Sequence, residues 1–345
     1  MPDAFVFAGA VAKGAFTGGA LSVLSMPGVK ARIGLDVRRI VGASSGALNA
    51  LYFAAELRAG REAFAGSRLA RIWIEQGTAR QVFDVSLGNL LRGRGISSQR
   101  GLLALLREHL RVRPGRHPVD LRMVVTNLDG DLTHVGGALA TSFEHVARFV
   151  GSDLDAAEGL DRAARTAAAS AALPGLFAPT ALTIGGRSVE AVDGGVTDNA
   201  PVGHALQGAF DIDRVFVIAA VPRVQPSPGR LRGLGLASQL LDVVVQERLV
   251  RELRAIERGN AWLAAIESTV PDGAQRAAVL DALGWNGCRP VQVVEIRPTA
   301  PLPGNALSGF FSRRLREEYV QSGIEAAQRA VRALVTARSS GSSGS

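Results

Sequence analysis

The sequence predicts an α/β domain with a mostly parallel central sheet flanked by helices. Short apolar runs rich in Val, Ile and Phe recur along the chain, and alanine- or leucine-rich helical stretches separate them. Strand, helix, strand, helix is the order of a parallel sheet built by right-handed crossovers. With 345 residues, 47% of them hydrophobic and 20% charged, the chain can bury a sizeable core.

The first strand is read at residues 4–8 (AFVFA), an apolar run that reaches Gly9, and residues 14–24 read as the helix after it. Residues 38–42 (RRIVG) form the second strand and residues 45–57 the second helix. Further strands are expected at 121–126, 182–184, 188–192, 214–220 and 291–296. Long amphipathic helices are expected at 236–266 and 313–335. With no internal repeat and no shift in composition, residues 3–337 read as one domain. Residues 338–345 have the Ser/Gly composition of a flexible linker or an appended remnant.

Composition excludes several classes of function. The single cysteine, Cys288, rules out an intrachain disulfide framework and a multi-cysteine metal site, and it reads as a small buried side chain. No apolar run reaches the roughly 18 residues of a membrane span, and no signal segment is visible, so the expectation is a soluble, cytoplasmic protein. The net charge of +8 comes almost wholly from scattered arginines, Lys13 and Lys30 being the lysines. Without a dense basic block no nucleic-acid partner is expected, although the surplus leaves contact with an anionic membrane surface open. Apolar segments at 231–245 and 307–311 could meet lipid, but such segments face a core more often than a membrane.

The sharpest motif is Gly42-Ala43-Ser44-Ser45-Gly46, a G-x-S-x-G between an apolar strand and an alanine-rich helix. A serine at that corner is held in a strained turn with its hydroxyl exposed, and Gly42 and Gly46 let neighbouring backbone pack close. The bland alternative is a strand-to-helix turn in which Ser44 or Ser45 caps the helix. A serine nucleophile needs a base. The five histidines, His109, His117, His134, His145 and His204, read as members of polar helices or loops, and none sits in a late catalytic loop. The better partner is Asp193, in Val192-Asp193-Gly194-Gly195, which ends an apolar strand ahead of Asn199-Ala200-Pro201, read as a helix start capped by Asn199. Gly194 and Gly195 allow another segment to approach closely; the alternative is an ordinary Asp-Gly turn. The third element is the turn Gly9-Ala10-Val11-Ala12-Lys13-Gly14, whose small residues can aim backbone N–H groups at an oxyanion. Its spacing fits neither a phosphate-binding loop nor a dinucleotide fingerprint.

Together these segments resemble the patatin-like phospholipase family. The family shows a glycine-rich oxyanion turn ending in a basic residue and glycine, then G-x-S-x-G, then D-G-[GA]. The counterparts here are Gly9 to Gly14 with Lys13 as the basic residue, then Gly42 to Gly46, then Asp193 to Gly195. Residues 169–179 (ASAALPGLFAP) and the closing stretch 311–328, with Tyr319 and Gly323, are similar as well, so the resemblance spans nearly the whole chain. It implies a single three-layer domain and a Ser44–Asp193 dyad without catalytic histidine. It also implies an oxyanion hole from Gly9, Ala10, Val11, Lys13 and Gly14, no metal or organic cofactor, and a phospholipid or related acyl-lipid substrate. One departure stands out: where the family has three consecutive glycines, this chain has Gly9-Ala10-Val11. A β-branched Val11 disfavours positive φ and crowds the approach, which points to slow activity or to small acyl groups.

The expected reaction is attack of Ser44 on an ester carbonyl with Asp193 taking the proton, the N–H groups of Ala10, Val11 and Ser45 being candidates to stabilise the oxyanion. Asp193 must be raised in pKa to serve as a base near neutrality. Acyl transfer or thioester hydrolysis by the same dyad, and a catalytically weakened effector or binding module, stay open on these residues alone.

Overall fold

The computed structural model describes residues 2–85, 95–207, 212–225, 234–285 and 287–341. Ten strands are described: β1 (Pro2–Phe7), β2 (Asp36–Ala43), β3 (Asp84–Val85), β4 (Ser97–Ser98), β5 (Asp120–Val135), β6 (Ala138–Val150), β7 (Thr180–Ile184), β8 (Arg187–Val192), β9 (Arg214–Ile218) and β10 (Gln292–Ile296). The main sheet runs β10-β9-β1-β2-β5-β8-β7, with β6 also paired to β5. Its first five strands are parallel. The strands β6, β7 and β8 join antiparallel, and β3 and β4 form a separate ribbon.

Alternation along the central strands creates two cores. Phe5 and Phe7 of β1, Ile40 of β2, and Phe216 and Ile218 of β9 are buried in one cluster, with Leu21 of helix α1 (Ala15–Leu24) and Leu51 and Phe53 of α3 (Ser45–Arg58). Tyr319, on the closing helix Arg313–Gly341, belongs to the same cluster. Ala4, Val6, Val41, Val215 and Val217 point to the opposite face. There they pack with Val202 and Ala205 and with Val245 and Leu249 of the long helix Leu234–Thr269. A sheet covered on both faces explains why these strands read as continuous apolar runs. At about 1.5–3 kcal/mol per large apolar side chain, the aromatic members dominate the first core. Phe5 meets the Phe216 ring edge-on at 5.3 Å.

At the starts of β1 and β9, Asp3 and Arg214 form a buried bidentate pair with N–O distances of 2.6 and 2.9 Å. Arg214 also donates to the carbonyls of Ile33 and Gly34, tying the crossover after α2 (Pro27–Ile33) to the amino end of the sheet. Burial raises the Asp3 pKa, with Arg214 working in the opposite direction.

Several elements depart from the sequence reading. The strand expected at 121–126 continues as β5 to Val135 and returns as β6 through Gly136 and Gly137, both at positive φ (59° and 83°). Two such glycines suit a tight hairpin turn. The outer half of this hairpin leaves the core, with Leu132 and Val135 exposed, so no buried run marked it. His134 and His145 lie on these strands, not in helices or loops. Asn199 does not cap the helix Val202–Leu206; it closes the short helix Gly195–Asp198, and Pro201 stands at the next helix's start. Cys288 is half-buried. The helix Arg313–Gly341 runs on through residues 338–341, where the Ser/Gly composition suggested a flexible tail; residues 342–345 lie outside the described residues, as do residues 231–233 of the apolar segment at 231–245.

Candidate active site

The site forms where β1 and β2 end side by side, Phe7 opposite Gly42. After β2 the chain turns at Ser44, with φ 54° and ψ −132°, and enters α3. Only two non-glycine residues among those described have positive φ, Ser44 and Val11, and both line this site. Such conformations cost about 1–3 kcal/mol each and persist where the surroundings enforce them. The glycines of G-x-S-x-G are a packing requirement. A Cβ on Gly42 would stand 2.5 Å from the Gly46 carbonyl oxygen, and one on Gly46 only 2.1 Å from that of Phe7. Gly46→Ala is therefore expected to destabilise the fold by more than about 3 kcal/mol. Thermal unfolding should show it as a fall in Tm of roughly 6 °C or more.

Ser44 is fixed from behind by Ser170, at the end of the helix Ala157–Ser170. The Ser170 hydroxyl accepts from the Ser44 N–H at 2.9 Å and donates to the Val124 carbonyl at 2.6 Å. Asp193 follows β8. That strand is antiparallel to β5, yet it pairs only with Thr126 and Asn127, beyond the point where β2 ends beside Val124. Asp193 thereby reaches the carboxyl edge of the parallel strands from the opposite direction. Its N–H donates to the Ala172 carbonyl at 3.0 Å, and its own carbonyl accepts from Thr126 Oγ1 at 2.8 Å. A Cβ on Gly194 would lie 2.0 Å from the Val124 carbonyl oxygen, so the D-G-G glycine is needed for this approach.

Ser44 Oγ donates to Asp193 Oδ2 at 2.7 Å, and the Gly195 N–H donates to Asp193 Oδ1 at 2.7 Å. Both side chains are almost fully buried. Burial pushes the Asp193 carboxyl up to about 7, against the lowering effect of these two hydrogen bonds. Among the described residues no histidine hydrogen-bonds to either group. His117 faces the Val37 carbonyl, His204 faces Glu144 and Gln207, and His109 faces Gln76.

The glycine-poor turn is arranged differently from the expected row of donors. The Gly9 N–H donates to the Asn199 carbonyl, the Ala10 N–H to Ser45 Oγ at 3.0 Å, the Ala12 N–H to the Ala306 carbonyl and the Lys13 N–H to the Ala10 carbonyl. Among the described residues nothing accepts from the Val11 N–H or the Ser45 N–H. The turn then winds into a 3₁₀ segment, Val11–Gly14, with Val11 at φ 51° despite its β-branch. Lys13 is buried, its Nζ 3.5 Å from Asp242 Oδ2 on the helix Leu234–Thr269. The Gly14 carbonyl accepts from Asn49 Nδ2 at 3.1 Å.

Two cavities meet at Ser44 and Asp193. The first, about 880 Å³ counting its open mouth, is walled by apolar residues including Trp73, Phe83, Leu106, Leu173, Phe177 and Phe310. The second, about 780 Å³ on the same measure, is lined by Gly9, Gly195, Asn199, Asp242 and Val244 among others. Val11 and Leu173 stand in both walls. A buried serine hydroxyl on a raised carboxylate, between an apolar and a more polar chamber, is equipped for acyl transfer to and from the serine.

The family model for patatin-like phospholipases matches residues 5–206, which hold Ser44, Asp193, Ser170, Asn199 and the 9–14 turn, while Asp242 of the long helix, Ala306 and Phe310 lie beyond it. The chain belongs to the patatin-like phospholipase family. The patatin-like architecture accounts for the mostly parallel sheet with helices on both faces. Among solved structures this patatin-like chain is similar to VipD from Legionella pneumophila at 13% identity and a TM-score of 0.39, over 96% of this chain and 66% of that one. It thus spans just under two thirds of the length of VipD. No curated protein matches it.

The sequence alone does not mark Ser45 Oγ, Ser170 or Asn199 as site residues. Ser170 lies within the 169–179 segment and Asn199 six residues after Asp193, but a serine in an alanine-rich helix and an asparagine before proline carry no signal of their own.

Proposed function

We propose that the protein is a serine acyl hydrolase that cleaves ester bonds of phospholipids or related acyl lipids through a Ser44 acyl-enzyme, with Asp193 as the base. The observation that carries this reading is the 2.7 Å hydrogen bond from Ser44 Oγ to a carboxyl raised to about 7. In the reaction Asp193 takes the Ser44 proton as Oγ attacks the ester carbonyl, and returns it to the leaving alkoxide. The Val11 N–H, at the start of the 3₁₀ segment, and the Ser45 N–H, at the amino end of α3, serve as oxyanion donors. The Ala10 N–H acts one step back by holding Ser45 Oγ. Val11 therefore supplies a backbone donor despite replacing a glycine, which weighs against a module that has lost catalysis.

The apolar chamber suits the acyl chain, and the more polar one the leaving group and water. Leu236, Leu240, Val243 and Val244, early in the helix Leu234–Thr269, are exposed, as is Phe311. These residues are the contact we assign to a lipid surface, and among the described residues no helix is long and apolar enough to cross a membrane.

Hydrolysis of a short-chain p-nitrophenyl ester and of mixed-phospholipid vesicles tests the reading; a folded protein inert on both would overturn it. Leu106→Trp, which fills part of the apolar chamber, should lower kcat/KM for a palmitoyl ester more than tenfold while sparing the butyryl ester. Denying burial to two methylenes at ~0.8 kcal/mol each is enough for that. Equal losses on both esters would remove the chamber as the acyl site.

A further inference from the structure

Asn199 places in the second cavity a buried acceptor that no protein donor reaches. The residue is 6% exposed, and among the described residues its Oδ1 has no hydrogen-bond partner. Its Nδ2 faces the Gly9 carbonyl at 3.5 Å, which fixes the amide with Oδ1 turned away from that carbonyl. Two glycines locate Oδ1. A Cβ on Gly9 would stand 1.9 Å from it and 2.6 Å from Ser44 Cβ; one on Gly195 would stand 2.6 Å from it and 2.9 Å from Asp193 Oδ1. Asn199 Oδ1 therefore lies no more than about 5.5 Å from Asp193 Oδ1, a separation that one water hydrogen-bonded to both oxygens can span. A buried acceptor left unsatisfied costs about 1–3 kcal/mol, a cost that a water in the second cavity relieves.

We propose that Asn199 positions the water that hydrolyses the acyl-enzyme, a role that rests on the Ser44 acyl-enzyme reading above. Once Ser44 Oγ carries the acyl group it no longer donates to Asp193, and the carboxylate can receive a new donor. The water gives one O–H to Asp193 and the other to Asn199 Oδ1, which turns a lone pair toward the acyl carbon. As the new carbon–oxygen bond forms, the proton shared with Asp193 passes to it. The tetrahedral intermediate then breaks its bond to Ser44 Oγ, Asp193 returns the proton to that oxygen, and the carboxylic acid leaves. Asn199 is a positioning residue throughout and exchanges no proton.

The test is stopped-flow release of p-nitrophenol from p-nitrophenyl butyrate by wild type, Asn199→Ala and Asn199→Leu, with the intact mass of the protein read after quenching. The expected result is a burst of about one equivalent whose rate stays near the wild-type acylation rate. A steady state roughly 10- to 100-fold slower should follow, with a butyryl adduct accumulating on Ser44. Hydroxylamine, which needs no oriented water, should restore turnover. A burst that slows together with the steady state, or an unchanged deacylation rate, overturns the proposal. Wild type alone gives a second readout, because methanol has one O–H and cannot satisfy both oxygens. The acyl-enzyme should partition to methanol no more than the molar ratio of methanol to water, and a several-fold excess of methyl ester contradicts the role. If Ser44→Ala turns over the ester near the wild-type rate, the acyl-enzyme reading itself falls, and this role with it.

Discussion

Ser44→Ala is expected to lower ester hydrolysis by about 10⁴-fold or more while the protein stays folded. In enzymes of this kind the nucleophile and its base act as a unit, and removing the hydroxyl leaves only binding and oxyanion stabilisation. Alanine at φ 54° is strained about as much as serine, so the elbow should persist. The Ser170 bond to the residue-44 N–H does not involve the lost side chain. Asp193 loses one of the two hydrogen bonds that hold its pKa down and should titrate higher still. Initial rates on p-nitrophenyl butyrate, with circular dichroism as the folding control, check this. Residual activity within tenfold of wild type would remove Ser44 from the chemistry.

Asp193→Asn is expected to cost about 10³- to 10⁴-fold, because an amide cannot accept the serine proton. In wild type only the ionised carboxylate is a base, so kcat/KM should rise about tenfold per pH unit up to a midpoint near the raised pKa of about 7 and level off above it. The same shift has a stability signature of definite sign. A carboxyl whose pKa is raised on folding binds its proton more tightly in the native state. Native stability should therefore fall as pH rises from about 4 through 7, by on the order of 4 kcal/mol. The amide of the Asp193→Asn variant carries no such penalty. The variant should be more stable than wild type at pH 8, and the difference should vanish by pH 4 in chemical denaturation. A pH-independent difference would show that Asp193 is ionised with an ordinary pKa.

The legible part of this protein is the part where local pattern and tertiary need coincide. Strands buried on both faces wrote themselves as apolar runs at Ala4–Phe7 and Arg214–Ile218, and the glycines of G-x-S-x-G and D-G-G marked places where backbone must meet backbone. The hidden part depends on distant partners. The outer β5–β6 hairpin has no core to write a pattern. The positive φ of Val11 contradicts its own propensity and is imposed by the 3₁₀ turn and its neighbours. Ser170 and Ser45 Oγ act through hydrogen bonds spanning 126 and 35 residues of chain. Similarly, the Asp242 partner of Lys13 lies on a helix that reads from sequence only as amphipathic.

The most direct measurement is labelling of the folded protein with a fluorophosphonate probe, followed by peptide mapping, in wild type and in Asp193→Asn. An activated serine beside a raised carboxylate should give one adduct on Ser44 in wild type, formed at least 10²-fold more slowly when Asp193 is replaced by asparagine. An adduct on another residue, or an active wild-type protein that takes no label at Ser44, would contradict the Ser44–Asp193 account.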